Sequence, residues 1–232
     1  MFLWANNRFL VARAFGADGS FPAGAYNLQQ NATPLNATAA VISDGGLAWA
    51  VAWTSGAADQ FSLYFIKAGT TTRVGGRVLT QTTSAMRIAG LTKVGASSYA
   101  VLFDSAQGTV LAIVDEDGVP IGPARRLLGV WSGFGVASSG GEIGVLAWRT
   151  KEIPNTENDA GPIKQQDAVE FRPFDATGAP LGAWVCLDPS GGPDPAMDGA
   201  IDADENGYSV VYRSPAKAAT LVRFDRRGTG GP

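Results

Sequence analysis

Short apolar runs, each closed at once by small polar residues, recur along the chain. "AVAWTSG" (50–56) sets the pattern, and "VLFDSA" (101–106), "VLAWRT" (145–150) and "SVVYRS" (209–214) repeat it. The aromatic that closes the run stands at Trp4, Trp53, Phe103, Trp148 and Tyr212, and a small polar residue follows two positions later each time. A second β-rich run ends on Phe15, Ile66, Val114, Phe174 and Phe224. In four of these five places a turn with glycine at its fourth position follows: "GADG" (16–19), "DEDG" (115–118), "DATG" (175–178) and "DRRG" (225–228). First anchor to second takes 11, 13, 11, 26 and 12 residues, and second anchor to the next first takes 38, 37, 34 and 38. The excess in the one long interval falls within the polar stretch 151–168, which reads as a loop insertion.

One unit has room for four short strands: a weakly apolar strand such as "FGVAS" (134–138), a Gly-rich turn, the aromatic-closed strand, a third strand, and, past the Asp-x-x-Gly turn, a fourth such as "RRLL" (125–128) or "AWVCL" (183–187). Units of this size predict an all-β chain of four-stranded antiparallel blades. A single sheet cannot bury both faces, so the blades are expected to stack, with the closing aromatics as core between neighbouring sheets. Pro173 removes a ladder donor and predicts a bulge or edge position in its strand.

About five units follow, at roughly 1–30, 31–82, 83–130, 131–188 and 189–232, three complete and two partial, within one domain. Both partial units hold a second and a third strand, so the expectation is an open or partial propeller, or a fragment of a longer one. Exposed end blades then predict self-association.

The turn phrases "VDEDGVPIG" (114–122) and "FDATGAPLG" (174–182), each followed by an apolar strand, resemble the degenerate blade repeats of bacterial β-propeller proteins, many of them exported. The resemblance covers nearly the whole chain and implies a β-propeller-like architecture, with an extracytoplasmic or surface location. It implies no activity, because propellers host enzymes, lectins and scaffolds alike.

Composition narrows the chemistry. The chain has no histidine, which removes a Ser-His-Asp triad and imidazole metal ligands. It has one cysteine, Cys186, so an internal disulfide is excluded; its apolar surroundings predict a buried, inert thiol. A net charge of −3 with no basic cluster argues against a nucleic-acid partner. No apolar run has the length of a membrane span, and the start "MFLWANNRFL" does not read as a signal peptide.

Candidate sites are few. In a stacked array the loops joining second to third strands emerge beside those joining one blade to the next. That side gathers the insertion 151–168 with loops 27–38, 80–85, 129–133 and 188–198. Long loops on a rigid scaffold are where binding concentrates. Within them Trp131 is suited to stacking on a sugar or partner, Asn155, Glu157, Asp159 and Lys164 to polar contacts, and Asp194 and Asp198 to a negative rim. "DADENG" (202–207) opens like a calcium loop, with Asp202, Asp204 and Asn206 as candidate Ca2+ ligands, but the later ligand positions carry Val210 and Arg213. No other cofactor is implied. "NATPLNAT" (31–38) holds two Asn-x-Thr sequons and reads chiefly as a polar loop. The expected function is a non-catalytic binding or scaffold module, part of a larger extracytoplasmic protein, recognising a glycan or protein through this loop face. The alternative is a carbohydrate-active hydrolase working through paired carboxyls.

Overall fold

The computed structural model describes the backbone of residues 2–5, 9–13, 26–30, 33–41, 47–55, 58–66, 73–82, 87–105, 108–115, 119–153, 164–189, 198–214 and 217–229, with most side chains from residue 87 onward. Among these residues there is no helix, and five antiparallel sheets succeed one another along the chain. The first sheet holds β1 (Phe2–Ala5), β2 (Phe9–Arg13) and β3 (Tyr26–Gln30). The second holds β4 (Thr33–Val41), β5 (Leu47–Ser55), β6 (Ala58–Ile66) and β7 (Arg73–Thr82). The third comprises β8 (Arg87–Val94), β9 (Ser98–Ser105), β10 (Gly108–Asp115) and β11 (Arg125–Arg126). In the fourth are β12 (Val130–Ser139), β13 (Glu142–Ile153), β14 (Lys164–Phe174) and β15 (Val185–Pro189), and in the fifth β16 (Asp198–Asp204), β17 (Gly207–Ser214) and β18 (Lys217–Asp225). Within each sheet the strands lie in chain order.

The burial pattern follows from how many faces each sheet has covered. In β9 every residue from Tyr99 to Phe103 is buried, and in β13 every residue from Ile143 to Ala147. A strand covered on both faces reads as a continuous apolar run. In β17 burial alternates: Tyr208, Val210 and Tyr212 point inward while Val211 and Arg213 are exposed. One core lies between the third and fourth sheets, with Leu102, Leu111, Val136, Val145 and Phe174 among its members. Another lies between the fourth and fifth, built on Leu146, Val169, Phe171, Tyr208 and Phe224. The Phe171 and Phe224 rings stack across it with centroids 4.5 Å apart.

The closing aromatics behave as core where their side chains are described. Phe103 and Tyr212 are 7% and 2% exposed, and Trp148 is partly buried against the second core. The side chains of Trp4 and Trp53 lie outside the described ones.

The first strands of adjacent sheets, β4 with β8, β8 with β12, and β12 with β16, run close together. Glycine makes that approach sterically feasible. A Cβ on Gly90 of β8 would lie 2.9 Å from the Val136 backbone nitrogen of β12, and one on Gly135 of β12 would lie 2.9 Å from Ile201 Cγ2 of β16. These first strands also shift register, between Ile88 and Gly90 in β8 and at two places in β12.

Three third strands end in turns of one design. Asp115, Asp175 and Asp225 each donate a backbone N–H to the carbonyl four residues on, and each carboxylate accepts the N–H of that same residue at 2.7–2.8 Å. Gly178 and Gly228 hold φ of 79° and 75°, which an L side chain adopts only with strain. Pro173 is at neither a bulge nor an open edge: it pairs with Gly144 of β13, the β14–β15 ladder ends before it at Phe171–Val185, its carbonyl there accepts the Leu181 N–H, and the nearest bulge falls at Val169–Glu170.

Several expectations are corrected. Residues 26–30 and 33–41 are strand rather than one polar loop, so Asn36 sits in β4 opposite Ala52. The "RRLL" strand is short: β11 spans two residues, and Leu128 beyond it is exposed. Cys186 is exposed, not buried: on the outer strand β15 it turns out to solvent, while the next two residues, Leu187 and Asp188, are buried. Among the described residues no helix is long and apolar enough to cross a membrane.

Candidate functional site

Antiparallel pairing brings the starts of β8, β12 and β16 to the ends of β9, β13 and β17: Arg87 opposes Asp104, Val130 opposes Arg149, and Asp198 opposes Arg213. We call this the loop end. The opposite, turn end carries the tight connections Val94–Ser98, Ser139–Glu142 and Asp204–Gly207. The distinction decides which candidate residues can cooperate.

Trp131 stands at the loop end, in strand β12 rather than in a loop. The ladder passes from Val130–Arg149 to Ser132–Trp148, leaving Trp131 as the unpaired residue of a bulge. A bulge re-aims a side chain at a strand end. The insertion is largely paired strand at its base: β13 and β14 continue through Lys151–Gln166 and Glu152–Gln165 to Ile153–Lys164. Lys164 is thus the first residue of β14. Asn155, Glu157, Asp159 and Asp194 lie outside the described residues. Asp198 opens β16, exposed, with its carboxylate accepting the Gly199 N–H at 2.8 Å.

Asp202, Asp204 and Asn206 belong to the β16–β17 hairpin, toward the turn end. Asp204 Oδ1 accepts the N–H groups of Asn206 and Gly207 at 2.8 and 3.1 Å, and Oδ2 pairs with Arg223 at 2.7 Å. The backbone bond from Asn206 outweighs the opposing push from desolvation and, with the Arg223 charge and the Gly207 N–H, holds this carboxyl below its ordinary range. Asp202 is exposed and bonds the Ala203 N–H. Among the described residues no group of three or more carboxylate or thiol ligands is gathered.

Sequence reasoning passed over the residue that immediately follows each closing aromatic. That residue is Asp104, Arg149 and Arg213 in the last three sheets, always at the loop end. Asp104 is locked. Its Oδ1 accepts the Thr109 hydroxyl at 2.6 Å and the Gly133 N–H at 3.0 Å. Its Oδ2 accepts Arg87 Nε and Nη2 at 3.0 and 2.7 Å and the Ser132 hydroxyl at 3.2 Å. Arg87 also donates to the Gly133 carbonyl.

Arg149 is locked as well. It donates to the fully buried Glu170 carboxylate and lies over the Trp184 ring at 4.9 Å. Arg172 approaches the same ring at 5.7 Å and Phe174 at 5.6 Å, forming a cation–π ladder along the outer margin of the core. Burial, and then the neighbouring Arg149 charge, lower the Arg172 pKa.

Arg213 differs from both, standing exposed beside Asp198. The two flank an open cavity of about 420 Å³ with Ala200, Val211 and Ala219 on its apolar wall. No single residue signals that cavity in the sequence. The placement of charge after each aromatic would have pointed to this end.

No protein-family model matches the chain, and no curated protein sequence matches it. Solved structures do superimpose. The chain is similar to hydrazine synthase of Kuenenia stuttgartiensis, at 13% identity and TM-score 0.53, covering 89% of this chain and 68% of that one. It is also similar to a variant of the apocarotenoid oxygenase of Synechocystis, at 8% identity and TM-score 0.49, covering 96% of this chain and 54% of that one, so it spans little more than half that protein's length. At such identities the likeness to hydrazine synthase speaks for fold alone, and that fold is β-rich and without helical character.

Proposed function

We propose that the chain is a non-catalytic binding or scaffold module, built as a propeller-like array of stacked blades and recognising a glycan or protein through its loop end. In this reading it belongs to a larger extracytoplasmic or surface protein. The observation that carries the proposal is the contrast between locked and available charge. Asp104 and Arg149 are committed to cross-strand and cross-sheet bonds that stiffen the scaffold, while Asp198 and Arg213 remain exposed around an open cavity. A bulged tryptophan position and an extended hairpin share that end. Rigid elements that support exposed polar and aromatic groups suit recognition. The propeller arrangement draws its support from the consecutive sheets and the contiguity of their first strands.

Acid–base hydrolysis draws less support. It calls for two carboxyls about 5–10 Å apart across a cleft, whereas Asp104 and Glu170 are each paired to an arginine.

The test is a glycan and surface-protein panel screened with the native chain, with Trp131→Ala, with Arg213→Ala and with residues 154–163 replaced by a short Gly-Ser linker. Binding by the native chain, reduced in at least one folded variant, is expected. Native binding that survives in all three, or no binding at all, would overturn the assignment.

A further inference from the structure

Among the described residues Arg87, Arg149 and Arg223 are each paired with a carboxylate, and Arg213 is not. It stands exposed at the loop end, directly across the β16–β17 ladder from Asp198. The two do not pair with each other: Asp198 Oδ1 accepts the N–H of its own neighbour Gly199 at 2.8 Å. Two residues further along β16 on the same face, Ala200 opposes Val211. With Ala219 of β18 these side chains floor the open cavity of about 420 Å³ whose rim carries Asp198 and Arg213. All three floor residues are exposed. The volume falls within the roughly 300–1,000 Å³ of small-ligand sites.

We infer that this cavity takes one singly carboxylated sugar unit, a hexuronate, within an extended glycan. The inference rests on the reading of the loop end as a recognition surface and names what that surface takes. A guanidinium exposed without a carboxylate is a ready partner for a ligand carboxylate, and its planar fork binds one through two parallel N–H···O bonds. Asp198 keeps Oδ2 for a ligand hydroxyl, the group that a hexuronate carries on the same ring as its carboxylate. The aliphatic floor of Ala200, Val211 and Ala219 covers the C–H face of that ring. A neutral sugar leaves the guanidinium without its anion. A densely sulfated chain is disfavoured, because the exposed Asp198 and Asp202 bracket Ala200 on the same face of β16 and repel every anion but the one at Arg213. An α-amino acid answers both charges but leaves most of the cavity unfilled.

Isothermal titration calorimetry of the full chain tests this. The probes are galacturonate and glucuronate tetrasaccharides and the same oligosaccharides with every carboxyl reduced to the alcohol. The native chain is expected to bind at least one acidic form about tenfold or more tighter than its reduced counterpart. Arg213→Gln should weaken binding of the acid about tenfold or more and change binding of the reduced form less than about twofold. Arg213→Lys keeps the charge and loses the fork, so its affinity should fall between the two. Arg223→Ala, on the same sheet but with its guanidinium held by Asp204, should bind within about twofold of the native chain. Thermal melts establish that each variant is folded. Equal affinity for acidic and reduced forms, or a folded Arg213→Gln chain that binds the acid like the native one, would overturn the hexuronate and leave the loop end as a glycan surface. Binding of an acidic peptide through Arg213 with neither hexuronate bound would overturn it and leave a protein surface. A chain that binds no glycan and no protein of the panel would remove the recognition reading as well.

Discussion

The carboxylate of Asp104, on β9, accepts the backbone N–H of Gly133, on β12, at 3.0 Å. One side chain thereby ties the third sheet to the fourth. The bond cannot move without disturbing Arg87, Thr109 and Ser132, which share the same carboxylate. At the other end of β12 the Ser139 hydroxyl donates to the Asp204 carbonyl at 2.6 Å, tying the fourth sheet to the fifth. Apolar cores hold the sheets together, and these polar ties set how one sheet is placed against the next.

Asp104→Ala should therefore destabilise the fold by about 3 kcal/mol, because it removes the acceptor shared by a backbone N–H, two hydroxyls and a guanidinium. Asp104→Asn keeps an acceptor and loses the charge, and should cost about half as much. Urea unfolding measures both. A loss under about 1 kcal/mol for the alanine variant would remove Asp104 from the account of sheet placement.

Glycine tests the closeness of the sheets. A Cβ on Gly144 would lie 2.7 Å from the Tyr208 ring and 2.8 Å from the Phe171 ring, inside the core between the fourth and fifth sheets. Gly144→Ala should lower stability by about 1–3 kcal/mol through overpacking. At Gly182 nothing lies within 4 Å of the added methyl, so Gly182→Ala should change stability by less than about 0.5 kcal/mol. Thermal melts of the two variants side by side provide the check, and equal effects would contradict the packing described for Gly144.

Acid should unfasten the Asp turns. At Asp175 burial pushes the pKa up, but bonds from the Thr177 hydroxyl and the Ala179 and Thr177 N–H groups outweigh it, and the net shift is downward. At Asp225 the bonds from the Thr229 hydroxyl and N–H lower the pKa. A carboxyl whose folded pKa lies below its unfolded value of about 3.9 stabilises the fold fully above that pH. The contribution disappears as pH falls through the folded value. Stability should drop between about pH 5 and 2, and Asp175→Asn should flatten part of that drop. Identical pH profiles for the native chain and the variant would contradict the role given to this turn.

Much of the architecture was legible because its signals are local and repeated. The aromatic that closes each second strand, the Asp-x-x-Gly reversal and the Gly-Gly turn at 140–141 all depend on short-range geometry, and residues 99–103 and 143–147 read as runs because both faces of their strands are covered. Cys186 was misread for the opposite reason. An apolar neighbourhood in sequence does not reveal that a strand lies at an outer edge, where a residue can face out beside buried neighbours such as Leu187 and Asp188. Trp131 was placed in a loop because a bulge leaves no compositional mark. The loop end itself was legible as a clustering of long connections. The clamps at Asp104 and Arg149 were not, because a lone charge after an aromatic looks the same whether its partner is buried or it is exposed like Arg213. The partners Gly133 and Glu170 lie 29 and 21 residues away.

Hydrogen–deuterium exchange of the native chain, with and without the tightest-binding member of the panel, tests the central claim most directly. Bound ligand should slow exchange at the loop end, in residues 130–133, 150–153, 164–167, 198–200 and 211–213, and leave the turn end at 94–98, 139–142, 175–178 and 204–207 unchanged. Protection confined to the turn end, or spread equally over both ends, would contradict the assignment of the loop end as the recognition surface.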